Sequence, residues 1–144
     1  MIDSADLQKY SLFGGISEEN INRIVPCMEQ ETYKAGDIVL VEGTPNDKIH
    51  FLIEGRIAVI MGDILICELA EGNTFGEMEV LDVMPTAATI KAVTDIKVLT
   101  ISNRSLRGIY HDDIKSFSLM VMNLARDLSR RLRKTNAKIT QGGV

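Results

Sequence analysis

Residues 75–78, Phe-Gly-Glu-Met, bring together groups that could hold a sugar phosphate. A glycine at position 76 lets the chain turn and presents backbone N–H groups at the start of a one-turn helix, where they can meet an anion. The carboxylate of Glu77 can accept hydrogen bonds from a ribose hydroxyl. The same glutamate could instead cap the short helix and bond local backbone groups, as first-turn acids do. Both interpretations of Glu77 stay open on the residues alone.

Other residues that could do chemistry do not form a recognisable set. No serine, cysteine or lysine lies beside a base in a known catalytic motif, so we expect no enzyme. His50 and His111 are far apart and lack a third ligand, which argues against a metal site. We expect packing and capping roles for these two histidines.

Composition favours one globular domain. The chain has 144 residues, of which 45% are hydrophobic and 25% are charged. The net charge of −4 argues against a general attraction to nucleic acid or acidic lipid. The acidic N-terminus is unlike a signal peptide, and no apolar run approaches the roughly 20 residues of a membrane helix. We therefore predict a cytoplasmic protein that is not bound to membranes, with Cys27 and Cys67 reduced.

The spacing of apolar and turn residues changes twice along the chain. Residues 1–30 have helical spacing, with Ser17 as a helix cap. From residue 31 to residue 101, short β-branched runs alternate with turns, which is typical of an all-β sandwich or barrel. The predicted strands lie within 33–36, 38–43, 49–55, 57–62, 64–72 and 88–101. Residues 102–140 return to helical spacing and complete a single domain.

The clearest hairpin is RIAVIM-GD-ILICEL, because Gly62 and Asp63 form a two-residue loop whose glycine tolerates a positive φ. Both faces of its two arms are apolar. Such a strand pair needs cover on both sides, and we expect the last helix or a second subunit to provide it.

Two helices are predicted after residue 102. A short one is followed by a long one that Asp112 or Asp113 caps, and its apolar residues are three, four or seven apart. This stripe consists of Phe117, Val121, Leu124, Leu128, Leu132 and Ile139. A helix of over 20 residues is longer than a small barrel can cover. We therefore expect a homodimer through this helix. Its basic face is predicted to be solvated, with Asp127 pairing with Arg131 four residues on.

This order of parts resembles the cyclic-nucleotide-binding domains of the catabolite-activator and protein-kinase regulatory type. The resemblance covers about residues 7–138 and rests on LFGGIS, on the glycine-punctuated segment YKAGDIVLVEGTPNDKIHFLIEGRIAVI, on GNTFGEM with PTAAT, and on ARDLSRRLRKTN. It implies an eight-stranded jelly roll with flanking helices and a phosphate-binding cassette at about residues 72–89. It also implies that the carboxylate at the position of Glu77 holds the ribose 2′-hydroxyl.

The second half of the cassette departs from the family pattern. Where the family's nucleotide binders carry an arginine that pairs with the phosphate, this sequence has Thr86. Glu79 adds a negative charge close to the expected phosphate. Loss of such a charge-assisted pair costs roughly 2 to 5 kcal/mol of binding free energy. Backbone N–H groups of Met78, Ala87 and Ala88, with the Thr86 hydroxyl, could retain part of the binding.

The resemblance also gives a role to Thr135 and Asn136, which lie where the catabolite-activator branch reaches the nucleobase from its long helix. The same two residues are common at helix ends, where they cap or face solvent, and we favour that simpler interpretation.

We therefore predict a stand-alone, non-catalytic sensor domain in which binding of cyclic AMP or cyclic GMP is weakened or absent because Thr86 replaces the arginine. The predicted ligand-binding residues are Phe75, Gly76, Glu77, Met78, Thr86, Ala87, Thr135 and Asn136. The alternative is a dimeric scaffold or adaptor of the same fold that binds a protein partner and no small molecule. Since the sequence ends at Val144, we expect no DNA-reading domain.

Overall fold

The computed structural model describes residues 3–77 and 84–141. Two short helices open the chain, α1 (Ser4–Leu7) and α2 (Glu18–Ile24), with 3₁₀ turns at Ser11–Phe13 and Val25–Cys27. The predicted cap of α2 is confirmed, since the Ser17 hydroxyl accepts a hydrogen bond from the backbone N–H of Asn20 at 3.2 Å.

Within the described residues, eight strands form two antiparallel four-stranded sheets, which confirms the predicted jelly roll. The first sheet has the order β1-β8-β3-β6 and the second has the order β2-β7-β4-β5. The strands are β1 (Glu29–Tyr33), β2 (Ile38–Leu40), β3 (Lys48–Glu54), β4 (Arg56–Met61), β5 (Ile64–Ala70), β6 (Thr74–Phe75), β7 (Thr89–Ala92) and β8 (Ile96–Ser102).

Three strand predictions need correction. Strand β1 begins four residues before the predicted run 33–36 and overlaps it only at Tyr33, and the segment 88–101 is two strands with a turn between them. Strand β6 was not predicted, because two residues are too few to show a period of two. The predicted Gly62-Asp63 hairpin is confirmed, with Met61 opposite Ile64 and a φ of 57° at Gly62.

The hydrophobic core has two layers because neighbouring residues of a strand point to opposite faces of the sheet. Phe51 packs with the N-terminal helices and the last helix, in a cluster that includes Phe13 and Leu124. The next residue, Leu52, packs between the two sheets with Ile57. The helices are therefore held against the outer face of the first sheet.

Two helices close the chain, α3 (Asn103–Asp112) and α4 (Ile114–Gln141). Asp113 caps α4, since its carboxylate accepts from the N–H of Ser116 at 3.1 Å. Further on, the buried Asn123 donates to the carbonyl oxygens of Leu12 and Gly14, both at 3.0 Å. These bonds fix the first half of α4 to the N-terminal segment.

The predicted apolar stripe of α4 divides into two parts. Phe117 and Leu124 pack against the domain core, so they are not free for a second subunit. Leu132 and Ile139 are exposed. Within the described ranges, no helix is long and apolar enough to cross a membrane.

Candidate functional site

The candidate site is a small cavity between the second sheet, the start of the cassette and helix α4. Its volume is about 90 Å³. The hairpin and β7 contribute apolar walls, and the cassette contributes residues from both of its ends. The lining residues are Val59, Leu69, Phe75, Gly76, Glu77, Ala87, Ala88, Ile90 and Arg131.

Position 76 requires glycine, both for its backbone conformation and for the atoms that surround it. Its φ is +75°, and a Cβ atom there would lie 2.8 Å from the Asn46 amide nitrogen and 3.0 Å from Nδ1 of His50. The Asn46 amide also donates to the Gly76 carbonyl oxygen at 3.0 Å. The cassette is thus fastened to the start of β3 at this point.

Glu77 is buried in an ion pair with α4. Its side chain is 3% exposed, and Oε1 accepts from Nη1 of Arg131 at 2.9 Å. The second terminal nitrogen of Arg131, Nη2, donates to the backbone carbonyl of Thr74. A carboxylate taken out of water needs a cation or several donors, and Arg131 supplies that charge. The cation in this pocket therefore comes from a helix and not from the cassette.

Thr86 is hydrogen-bonded within the β-roll and is not among the residues that line the cavity. Its hydroxyl donates to the carbonyl oxygen of Thr44 at 2.6 Å, and its N–H donates to the same oxygen at 2.9 Å. Its own carbonyl oxygen accepts from the N–H of Gly43 at 2.8 Å. These bonds tie the buried threonine to the turn after β2, so its side chain does not line the cavity.

The other predicted site residues are distributed unevenly. Phe75, Gly76, Glu77 and Ala87 line one cavity, together with Ala88. Thr135 and Asn136 lie on the exposed part of α4 and do not line it; the Thr135 hydroxyl donates to the Arg131 carbonyl oxygen at 3.0 Å. Met78 and Glu79 lie outside the described residues.

Arg131 is the site residue that the sequence prediction missed. The predicted pair of Asp127 with Arg131 is wrong, because Asp127 accepts from Arg130 at 3.0 Å and from the Ser11 hydroxyl at 2.7 Å. A signal was present in the sequence: position 131 is seven residues after the buried Leu124, and so lies on the same face of the helix. A cation on that face needs a buried acid as partner.

His50 packs against the start of the cassette. The imidazole is 3% exposed and stacks on Phe75, with ring centroids 4.8 Å apart and planes 18° apart. Burial lowers the pKa of His50 below its usual value of 6.5, with smaller opposing effects from the Glu31 carboxylate and the Lys48 backbone. In the part of the chain that the structure describes, no cluster of three histidine, cysteine or acidic side chains could hold a metal ion.

Sequence comparisons agree with this geometry. The family model of the cyclic nucleotide-binding domain matches residues 30–113. Human cGMP-dependent protein kinase 2 is 25% identical over 135 residues, which is 94% of this chain and 18% of the kinase. The chain thus spans under a fifth of the length of that relative.

Structural comparisons support the same fold. A cyclic nucleotide-binding domain from Methylobacillus flagellatus superposes with a TM-score of 0.88 at 22% identity, over 99% of this chain and 83% of the other. The catabolite activator protein of Thermus thermophilus gives 0.76 at 22% identity, over 91% of this chain and 62% of the other. Both proteins share the jelly roll and its flanking helices with this chain.

Proposed function

The chain belongs to the cyclic nucleotide-binding domain family, and from this premise we propose that it is a regulatory domain that binds cyclic AMP or cyclic GMP only weakly. One observation carries the proposal. At the place where the family's binders have an arginine, Thr86 is uncharged, and its N–H and hydroxyl both bond the Thr44 carbonyl oxygen. Neither group is directed at a ligand in the cavity.

The charges in the cavity support the same conclusion. Glu77 and Arg131 form a pair, so their charges cancel. A cyclic phosphate would add one negative charge, and Arg131 is the one cation among the described residues that line the cavity. Loss of a charge-assisted, partly desolvated pair costs about 2 to 5 kcal/mol, which is roughly 30-fold to several-thousand-fold in affinity.

The size of the cavity supports a coupling between ligand and helix. Its volume of about 90 Å³ is small beside the roughly 300 to 1,000 Å³ of ordinary ligand pockets. A nucleotide would therefore have to displace the Arg131 side chain from Glu77, and this would release the contact between α4 and the cassette. A ligand that binds the released state better would shift the position of α4.

The same small cavity favours a second candidate function, a dimeric scaffold or adaptor without a small-molecule ligand. In that case the Glu77–Arg131 pair would permanently occupy the cavity in place of a ligand, and the domain would act by binding another protein. We propose that both functions are non-catalytic and cytoplasmic, and that neither involves DNA.

Titration calorimetry with cyclic AMP and cyclic GMP tests the proposal. We expect the natural chain to bind with a dissociation constant near millimolar, and Thr86→Arg to bind at least about 30-fold more tightly. Thr86→Gln is the matched control, since it also removes the hydroxyl and lengthens the side chain but adds no charge. Micromolar binding by the natural chain, or an arginine variant no better than the glutamine variant, would contradict the proposal. No heat at millimolar ligand from either the natural chain or Thr86→Arg would favour the scaffold.

A further inference from the structure

A second cavity, which we call the apolar cavity, lies between the outer face of the first sheet and the last two helices. Its volume is about 220 Å³. Among the described residues, it has no lining residue in common with the cavity beside Glu77. Protein interiors leave few voids larger than a water molecule, so a cavity of this size indicates a binding site. Its inner wall consists of buried apolar residues from the first 3₁₀ turn, two strands and α4, namely Leu12, Ile49, Ile101, Met120 and Leu124.

Helix α3 lines the apolar cavity with one of its faces. The lining residues of this helix are three or four positions apart, which places them on the same side of it. They are Asn103, Leu106, Arg107 and Tyr110. Arg107 is exposed, Tyr110 is 51% exposed, and Val121 of α4 is 37% exposed. The cavity therefore extends from the buried core to the protein surface.

The exposed end of the apolar cavity is positively charged. Arg107 is the one charged residue among the described residues that line it. Within residues 3–77 and 84–141, Arg107 takes part in no ion pair. The Tyr110 hydroxyl and the Asn103 amide add groups that can donate hydrogen bonds to an anion. An apolar interior with a cationic rim is complementary to a molecule that has an apolar body and an anionic end.

The volume limits the size of such a molecule. An apolar cavity of about 150 Å³ lined by leucine, isoleucine and phenylalanine takes up benzene. At the same volume per carbon atom, about 220 Å³ would hold about eight or nine carbons. We propose that the apolar cavity binds a small monocarboxylate with an apolar body of about eight carbons, such as a medium-chain fatty acid, with its carboxylate at Arg107. The inference does not depend on nucleotide binding.

Titration calorimetry with straight-chain carboxylates tests this site. Octanoate is the main probe, and 1-octanol is the uncharged comparison. We expect octanoate to bind about 15-fold more tightly than hexanoate, because two further CH₂ groups enter the apolar interior. Dodecanoate should bind no more tightly than octanoate, because its chain is longer than the cavity can hold. This limit distinguishes a cavity of defined size from adsorption to the protein surface.

Two pairs of variants at exposed positions locate the site. Val121→Trp places a large ring at the lining and should weaken octanoate binding at least about tenfold. Its matched control is Met122→Trp, on the next residue and outside the lining, which should leave the affinity unchanged. Arg107→Gln should weaken octanoate binding about three- to fivefold and affect 1-octanol little, as expected for an exposed charge. Arg104→Gln, on the same helix but outside the lining, is its matched control.

Circular dichroism checks that all four variants are folded. If Val121→Trp is not, the arginine pair and the chain-length limit still decide the question. The proposal is supported by a limit near octanoate together with a loss of affinity confined to the variants of the lining residues. It is overturned if octanoate does not bind at about 5 mM, if affinity keeps rising through dodecanoate, or if Arg104→Gln weakens octanoate binding as much as Arg107→Gln does.

Discussion

The two ends of the cassette bury their polar groups in different ways. At one end, Glu77 depends on a cation from a helix that is 54 residues further along the chain. At the other end, Thr86 is uncharged and depends on the carbonyl oxygen of Thr44 within the β-roll. The glutamate end therefore has a charged contact with α4, whereas the hydroxyl at the threonine end is bonded within the β-roll.

This difference shows where the electrostatic control of the site lies. The resemblance implies an arginine within the cassette of the family's nucleotide binders, whereas the cation of this cavity belongs to α4. Any event that moves α4 also takes the Arg131 cation away from the buried Glu77 carboxylate, and loss of one member of a buried ion pair costs several kcal/mol in a protein interior. The position of the helix and the state of the pocket are thus linked through one ion pair.

The largest expected loss of stability comes from Arg131→Met, which removes the ion pair at the glutamate end. Methionine retains much of the packing but leaves the Glu77 carboxylate buried without this cation. Removal of one partner from a buried pair costs 3 to 5 kcal/mol, and we expect about 3 kcal/mol because the Arg131 side chain is 26% exposed. Urea unfolding at pH 7 measures the change in the free energy of unfolding.

Two controls make this prediction specific. Arg130→Met removes the neighbouring arginine, whose side chain is 64% exposed, and should cost less than about 1 kcal/mol. The double variant Glu77→Gln with Arg131→Met should recover much of the loss, since no charge remains buried. If Arg130→Met and Arg131→Met lowered the free energy of unfolding equally, the buried pair of Arg131 with Glu77 would have no special effect on stability, and the contrast between the two ends of the cassette would fail.

A smaller expected effect at the glutamate end is that the free energy of unfolding depends on pH through His50. Because burial lowers the pKa of folded His50 below 6.5, the unfolded chain binds more protons just below that pH. The stabilisation from neutral His50 is therefore complete above pH 6.5 and is lost as the pH falls towards the lower, folded pKa. The slope cannot exceed about 1.4 kcal/mol per pH unit for one proton.

Unfolding free energies between pH 7.5 and pH 5 measure this slope, with His50→Gln as the test and His111→Gln as the control on the exposed histidine. We expect the first substitution to flatten the slope and the second to leave it unchanged. A slope that survives His50→Gln would assign the pH dependence to other groups.

Local sequence signals predicted the scaffold of this site but not its ion pair. The cap at Ser17 and the Gly62-Asp63 hairpin depend on residues close together in the chain, and both were predicted. The contact of Glu77 with Arg131 joins residues 54 positions apart, and the spacing along α4 gave Arg131 a local partner, Asp127, that satisfied the same charge rule. The choice between Asp127 and Glu77 depends on how α4 is rotated about its own axis, and the buried residues of the helix fix that rotation.

The smallest expected effect is at the threonine end, where Thr86→Val removes the hydroxyl and keeps the β-branched shape. The Thr44 carbonyl oxygen still accepts from the Thr86 N–H at 2.9 Å, so no acceptor is left without a partner, and we expect a loss of about 1 kcal/mol. Thr135→Val is the matched control, because its hydroxyl bond is exposed on α4 and should contribute less than about 0.5 kcal/mol. Thr86 bonds the backbone of Thr44, whereas Arg131 bonds Glu77 and the Thr74 carbonyl oxygen, so Thr86→Val and Arg131→Met should add within about 0.5 kcal/mol in the double variant. A larger coupling energy in urea unfolding would mean that the β-roll end also senses α4, and the two ends could no longer be treated as separate.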